Sequence, residues 1–224
     1  MFTGIIQSVG KIAAIEQKDG DARLRVAVGT LDMSGVNRGD SIAVSGVCLT
    51  AVEHSATEFA ADVSGETLAR TTFGRLRVGD AVNLEKSLTL ASPLGGHLVS
   101  GHVDGIATVA ARRDAGRSVQ FRIKAAETLA KYIAEKASVT VDGVSLTVNS
   151  IDGAEFELNI VPHTLQATTF GQLKAGAAVN LEVDILARYL ERLLQGERVP
   201  QNSASVTREF LAQHGFIKQG TSKN

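Results

Sequence analysis

The chain has 224 residues, 44% hydrophobic, 21% charged and 4% aromatic, with a formal net charge of -1 at pH 7. That composition rules out wholesale disorder, and the near-zero charge argues against a nucleic-acid binder with a basic face or a polybasic membrane-surface protein. No apolar run reaches the ~18 residues that span a bilayer. The start, Met1-Phe2-Thr3-Gly4-Ile5-Ile6-Gln7, does not read as a secretory signal. The lone Cys48 excludes an internal disulfide and a cysteine-based zinc cluster, so the reducing cytoplasm is the expected setting.

In chain order, the first clear element is a strand, Leu24-Arg25-Val26-Ala27-Val28, between turn signals at Gly20-Asp21 and Gly39-Asp40. Within Ser41–Thr50, period-two alternation puts Val47 and Leu49 on one face and Gly46, Cys48 and Thr50 on the other. A Gly79-Asp80 turn leads into Ala81–Glu85. Pro93 and Gly95-Gly96 make Thr89–His97 read as a linker. Phe121-Arg122-Ile123 and Val139-Thr140-Val141 alternate as strands, and Asp152-Gly153 marks a later turn. Ala126–Ala137 is expected to be helical, with Leu129, Tyr132 and Ile133 on one face. Ile185, Leu186, Tyr189, Leu190, Leu193 and Leu194 form a helical stripe over Asp184–Gln195, which Gly196 would end. Residues 197–224 are polar, with one short helix expected over Thr207–His214.

The chain repeats itself at a spacing of 97 residues. Ser41–Thr50 matches Ser138–Thr147 at six of ten positions, and Thr67–Glu85 matches Thr164–Glu182 at 13 of 19, where chance gives about one. Gly4 falls on Gly101. The expected organisation is therefore two copies of one domain, 1–88 and 98–185, joined by a linker at 89–97 and followed by a helix at 186–196 and a polar tail at 197–224. Many short strands and 22 glycines suggest that each copy is a small closed or nearly closed barrel.

The repeated strand is where chemistry is expected. Each copy presents a glycine and two small polar side chains outward: Gly46, Cys48 and Thr50, then Gly143, Ser145 and Thr147. Glycine permits close approach, and small hydroxyls and a thiol exchange hydrogen bonds without filling space. An ordinary half-exposed strand has the same pattern, and finding it twice at constant spacing brings the two readings level, because a repeat also preserves packing. An outward site needs a cover, and the obvious cover is another barrel, so that two similar ligands would face one another. The copies differ where Ile5 becomes His102, Cys48 becomes Ser145, and Gly65-Glu66 becomes Pro162-His163. His97, His102 and His163 are the candidate acid–base groups. No metal-ligand spacing, phosphate-binding loop or dinucleotide signature is present.

Taken together, Met1–Ile6, Gly46–Thr50, Gly95–His102 and Asp142–Val148 resemble the riboflavin synthase family over about residues 1–190. The resemblance implies a mostly β fold of two similar six-stranded Greek-key barrels in tandem plus a C-terminal helix, assembled as a homotrimer. It implies dismutation of two molecules of 6,7-dimethyl-8-ribityllumazine to riboflavin and 5-amino-6-ribitylaminouracil, the last step of riboflavin biosynthesis. No metal or organic cofactor is implied, and neither nucleic acid nor membrane is an expected partner.

Carried residue by residue, the resemblance implies a first pocket lined by Gly4, Ile5 and Ile6, by Cys48, Leu49 and Thr50, and by Asp62, Val63, Ser64, Gly65, Glu66 and Thr67. The second would use Gly101, His102 and Val103, then Ser145, Leu146 and Thr147, and Asn159, Ile160, Val161, Pro162, His163 and Thr164, with Lys136 close by. The expected catalytic set is Phe2, Ser41, Cys48, His102, Ser145, Thr147 and Asp184. In it, His102 and a hydroxyl neighbour transfer protons, and Cys48 or Ser145 orients or adds to the acceptor. Antenna proteins that carry one lumazine or flavin share this architecture and are the main rival. A carrier needs one intact pocket, whereas this chain keeps both sets of residues.

Overall fold

The computed structural model describes residues 1–196 together with Leu211, His214 and Phe216, and the chain divides into two compact units, 1–188 and 189–224. The first unit holds two closed six-stranded antiparallel barrels. Barrel 1 is built from β1 (Ser8–Lys18), β2 (Asp21–Ala27), β3 (Ser41–Val44), β4 (Val47–His54), β5 (Glu58–Val63) and β6 (Ala81–Lys86), in the cyclic order β1-β2-β5-β4-β3-β6. The β2–β3 and β5–β6 connections each pass two strands, which is Greek-key topology. Barrel 2 repeats the order with β7 (Gly105–Ala115), β8 (Ser118–Lys124), β9 (Ser138–Val141), β10 (Val144–Asp152), β11 (Glu155–Ile160) and β12 (Ala178–Val183).

Alternation builds the barrel walls: Ala22, Leu24 and Val26 of β2 are buried while their neighbours are not, and Val119, Phe121 and Ile123 of β8 repeat the pattern. Closure leaves no edge strand exposed. Each barrel is plugged by a phenylalanine from a short connection between strands five and six. In barrel 1 this is α1 (Gly65–Arg70) and a 3₁₀ turn (Thr72–Arg75) carrying Phe73. In barrel 2 it is α3 (Pro162–Ala167) and a 3₁₀ turn (Thr169–Gln172) carrying Phe170, which packs edge-on to Phe121 at 5.3 Å. Burying each ring contributes roughly 2–3 kcal/mol.

The helix expected over Ala126–Ala137 is a single turn, α2 (Glu127–Ala130), followed by tighter turns. Leu129 and Ile133 are buried, so their apolar pattern serves the core without a continuous helix. Lys136 ends the segment with φ of 65°, and its N–H donates to Val148 O at 2.8 Å, which ties the chain to β10 instead of to a further helical turn.

The two barrels meet at the tips of matching hairpins. Ser45-Gly46 joins β3 to β4 and Asp142-Gly143 joins β9 to β10, with φ positive at both residues of each pair: 43° and 82°, then 46° and 80°. This is the two-residue turn that suits strand twist. Gly46 and Gly143 therefore do not belong to the outward strand face expected for them. They are turn tips pressed together, and a Cβ on Gly143 would lie 2.7 Å from the Gly46 nitrogen. Asn83 Nδ2 donates to Asp142 O and its Oδ1 accepts from Thr169 N–H. Asn180 makes the mirror pair with Ser45 O and Thr72 N–H, all at 2.8–2.9 Å. A local pseudo-twofold relates the barrels through this contact.

After β12 the chain enters α4 (Ile185–Gly196), where Asp184 caps the first turn by accepting Leu186 N–H at 3.0 Å. Leu186, Tyr189, Leu190, Leu193 and Leu194 are each 57–69% exposed. The short helix expected over Thr207–His214 lies mostly outside the described residues.

Candidate functional site

Each barrel carries one outward polar face on its third and fourth strands. In β3 and β4, Ser41 lies opposite Thr50 and Ala43 opposite Cys48. In β9 and β10, Ser138 lies opposite Thr147 and Thr140 opposite Ser145. Leu49 is buried, Cys48 is half-buried, and Thr50 and Thr147 are exposed, as the alternation predicts, while Leu146, expected on the core face, is only half-buried. Ala51 pairs with Ala61, so the end of β5 and its exit into α1 lie beside the start of β4. This brings the stretch Asp62–Thr67 to the rim of the first face. Val148 pairs with Leu158 and brings Asn159–Thr164 to the second.

The segments preceding each barrel are exchanged relative to expectation. Gly4 O accepts Ser145 N–H at 2.8 Å, and Gly101 O accepts Cys48 N–H at 2.9 Å. A Cβ on Gly4 would lie 2.6 Å from Ser145 Cβ, and one on Gly101 would lie 2.7 Å from Cys48 Cβ. Both glycines have positive φ, so no other residue fits there without strain. Ile6 packs on the core of barrel 2 and Val103 on the core of barrel 1. Gly4, Ile5 and Ile6 thus belong with Ser145 and Thr147, and Gly101, His102 and Val103 belong with Cys48 and Thr50. Carrying the resemblance over with each segment assigned to the barrel it precedes puts them the other way round, because β1 and β7 follow directly and chain continuity hides the crossing. Two buried carboxylates hold the crossing in place. Glu85 accepts from Thr3 N–H, Thr3 Oγ1 and Gly4 N–H at 2.7, 2.7 and 3.0 Å. Glu182 accepts from Ser100 N–H, Ser100 Oγ and Gly101 N–H at 2.6, 2.7 and 3.0 Å. Burial raises the pKa of both, against these hydrogen bonds.

The two faces differ in what stands over the central side chain. Cys48 sits in an apolar cluster with Phe2, Ala43 and Val99, and Phe2 and Val99 exchange backbone hydrogen bonds at 2.7 and 3.1 Å. Ser145 instead meets His97, whose Nδ1 lies 2.7 Å from Ser145 Oγ while Nε2 lies 3.1 Å from Thr140 Oγ1. Burial lowers the pKa of His97, with Asp184 acting in the opposite sense. His97 closes the linker. Its N–H donates to Thr3 O, and Gly96 lies so close to Thr3 O and Ser145 that a Cβ has no room. His97, a candidate acid–base group by residue type, thus reaches the Ser145 face from the end of the linker.

The remaining expected residues are placed as follows. His102 is exposed beside Cys48, its N–H bonded to Ser100 Oγ, and it matches Ile5 of the other face. Asp62 is paired with Arg23 at 2.7 Å, which lowers its pKa. Ser64 caps α1, Glu66 pairs with Arg70 within that helix, and His163 is exposed on α3. Lys136 stands at the position of Gly39 in the repeat, exposed beside β10. A concavity of about 460 Å³ by the β1–β2 hairpin includes Asp62 but neither Cys48 nor Ser145. Among the described residues no group of His, Cys, Asp and Glu is arranged to hold a metal ion. Both polar faces are open on the single chain, with Thr50, His102, Ile5, Thr147 and Asn159 exposed.

The lumazine binding domain family matches the chain twice, over residues 3–87 and 100–184. The riboflavin synthase of Photobacterium phosphoreum is 49% identical over 217 residues, 97% of this chain and all of that one. The riboflavin synthase of Bacillus subtilis is 35% identical over 216 residues, 96% of this chain and all of that one. Among solved structures, LumP complexed with riboflavin is 29% identical with a TM-score of 0.76, and LumP complexed with 6,7-dimethyl-8-ribityllumazine is 28% identical with a TM-score of 0.74. Each covers 82% of this chain and 99% of its own.

Proposed function

The chain belongs to the riboflavin synthase family, two lumazine binding domains in tandem, and on that premise we propose how its two faces divide the work. The reaction is the dismutation of two 6,7-dimethyl-8-ribityllumazine molecules to riboflavin and 5-amino-6-ribitylaminouracil. Four carbons pass from a donor to an acceptor of the same structure. The observation that carries the reading is the duplicated face on the third and fourth strands of both barrels, where Cys48 and Thr50 are matched by Ser145 and Thr147 and both threonines are exposed on the single chain.

Each face binds one lumazine. Cys48, Thr50, Gly101, His102 and Val103, with the rim Asp62–Thr67, hold one. Ser145, Thr147, Gly4, Ile5 and Ile6, with the rim Asn159–Thr164 and nearby Lys136, hold the other. The first barrel of one subunit covers the second barrel of another within a homotrimer, and α4 supplies its exposed leucine stripe to that assembly. Facing barrels hold two like molecules at fixed separation, and orientation of this kind removes much of a bimolecular barrier. The donor's C7 methyl is acidic because its anion delocalises into the electron-poor ring. His102 with a hydroxyl neighbour takes that proton, and Cys48 or Ser145 engages the acceptor at C7. Ser41 and Phe2 shape the Cys48 face, and Asp184 sets the field at the Ser145 face. The enzyme works in the cytoplasm.

The test mixes purified protein with 6,7-dimethyl-8-ribityllumazine alone and follows riboflavin by absorbance and chromatography. One riboflavin per two lumazines consumed is expected; tight binding without turnover would mark a carrier. His102→Gln should lower turnover roughly 10- to 100-fold with an unchanged melting curve. Leu190→Asp with Leu194→Asp should shift sedimentation from trimer to monomer, and an unchanged profile would remove α4 from the assembly.

A further inference from the structure

Resting on that reading, we infer that His97 is a positioning residue that takes the hydroxyl proton of Ser145, making the second barrel the face that activates the acceptor lumazine. The imidazole is fixed at both nitrogens. Nε2 lies 3.1 Å from Thr140 Oγ1 and Nδ1 lies 2.7 Å from Ser145 Oγ; the tautomer this assignment requires has Nε2–H donating to Thr140 Oγ1 and the Nδ1 lone pair facing Ser145. Thr140 is only 1% exposed and lies opposite Ser145 in the β9–β10 ladder, so the ring is aimed by a rigid strand pair. The backbone that carries the ring is held as well: the main-chain N–H of His97 donates to Thr3 O, and Gly96 is packed against Ser145. A nucleophile within hydrogen-bond reach of a base that a third group orients is the arrangement that activates a hydroxyl.

The first barrel has a thiol, Cys48, in the place of Ser145, but among the described residues no imidazole is hydrogen-bonded to it and no hydroxyl orients one. Ala43 stands where Thr140 stands, and Phe2, Ala43 and Val99 are the apolar residues clustered with Cys48. The two faces therefore differ in kind. In the step assigned here a bond forms between Ser145 Oγ and C7 of the acceptor. The displaced π electron pair is taken up by the conjugated lumazine ring, and the hydroxyl proton moves to Nδ1. Elimination later reverses all three changes.

The experiment measures riboflavin formation and lumazine binding for the parent, His97→Asn, Ser145→Ala and the double variant, with melting curves for each. Asparagine can keep a hydrogen bond to Ser145 but cannot accept a proton. His97→Asn should therefore lose about 10²-fold in kcat while binding lumazine within about threefold of the parent. In the Ser145→Ala background it should lose less than about twofold more, because two residues acting as one unit are not additive. Full activity in His97→Asn, or losses that multiply in the double variant, would overturn the assignment while leaving the synthase reading intact. A parent that binds lumazine but makes no riboflavin would overturn the synthase reading itself. Nitrogen NMR of the unmutated protein gives an answer even if a variant fails to fold. His97 protonated at Nε2 is expected, and protonation at Nδ1 instead would sink the proposal.

Discussion

Barrel 1 and barrel 2 share strand order, hairpin turns, plugging phenylalanines and the carboxylates that hold the exchanged segments, yet their outward faces have opposite character. Cys48 packs against Phe2 and Val99, whereas Ser145 meets His97. What duplication kept is the machinery that joins the barrels: Gly46 against Gly143, Asn83 and Asn180 bridging, Gly4 on Ser145 and Gly101 on Cys48. What it let diverge are the few side chains above each face. A two-substrate reaction between identical molecules requires this combination. The sites must be alike enough to bind the same ligand and different enough to give it two fates.

The comparison is most severely tested at the hairpin tips. Gly143→Ala forces a Cβ to within 2.7 Å of the Gly46 backbone and places alanine at a φ of 80°. A loss of about 3–5 kcal/mol in denaturant unfolding is expected. Gly46→Ala should match it within about 1 kcal/mol. A large difference between the two would mean that the barrels do not share that contact equally.

The next test concerns Asp142, which stands where barrel 1 has Ser45. Full burial pushes its carboxyl up to about 7, with only the bond from Asn180 N–H opposing. A carboxyl raised in the folded state favours the protonated form. Its contribution to stability is therefore fully present below the ordinary aspartate value of about 4 and is lost as pH rises through about 7. Asp142→Asn keeps the acceptor but not the titration. It should flatten the fall in stability between about pH 4 and 7, by up to ~1.4 kcal/mol per pH unit. An unaltered slope in urea titrations would show that the carboxylate ionises without penalty.

The smallest effect sharpens the exchange of segments. Cys48 is the only cysteine, so its alkylation rate reports on that face alone. Gly101→Ala should change the rate several-fold, since the added methyl abuts Cys48 Cβ, whereas Gly4→Ala should leave it near the parent value. A reversed pattern would return Gly4 to the Cys48 face.

Much of this was legible in the residues. Period-two alternation gave the buried and outward sides of β4 and β10, and a constant spacing of 97 marked the duplication. Those signals are local, or compare the chain with itself, so no folding is needed to see them. The helix expected over Ala126–Ala137 failed for the same reason. Its apolar spacing is real, but after Ala130 the turns tighten and Lys136 then pairs with β10, a partner that is invisible in the local pattern.

By itself, then, the sequence determined two barrels, one polar face on each, and an amphipathic last helix, because side-chain periodicity dictates which side of an element is buried. Only the tertiary structure decided that residues 4–6 serve the second barrel and 101–103 the first. It also decided that the glycines of the repeated strand are contact points between barrels, and that the linker ends by delivering His97 to Ser145. Each of those rests on a bond or close contact between residues far apart in the chain: His97 and Ser145 are separated by 48 residues, and Asn180 and Ser45 by 135. Such pairs are chosen by barrel closure and by satisfaction of buried polar groups, which act on the folded whole and leave no period in the chain.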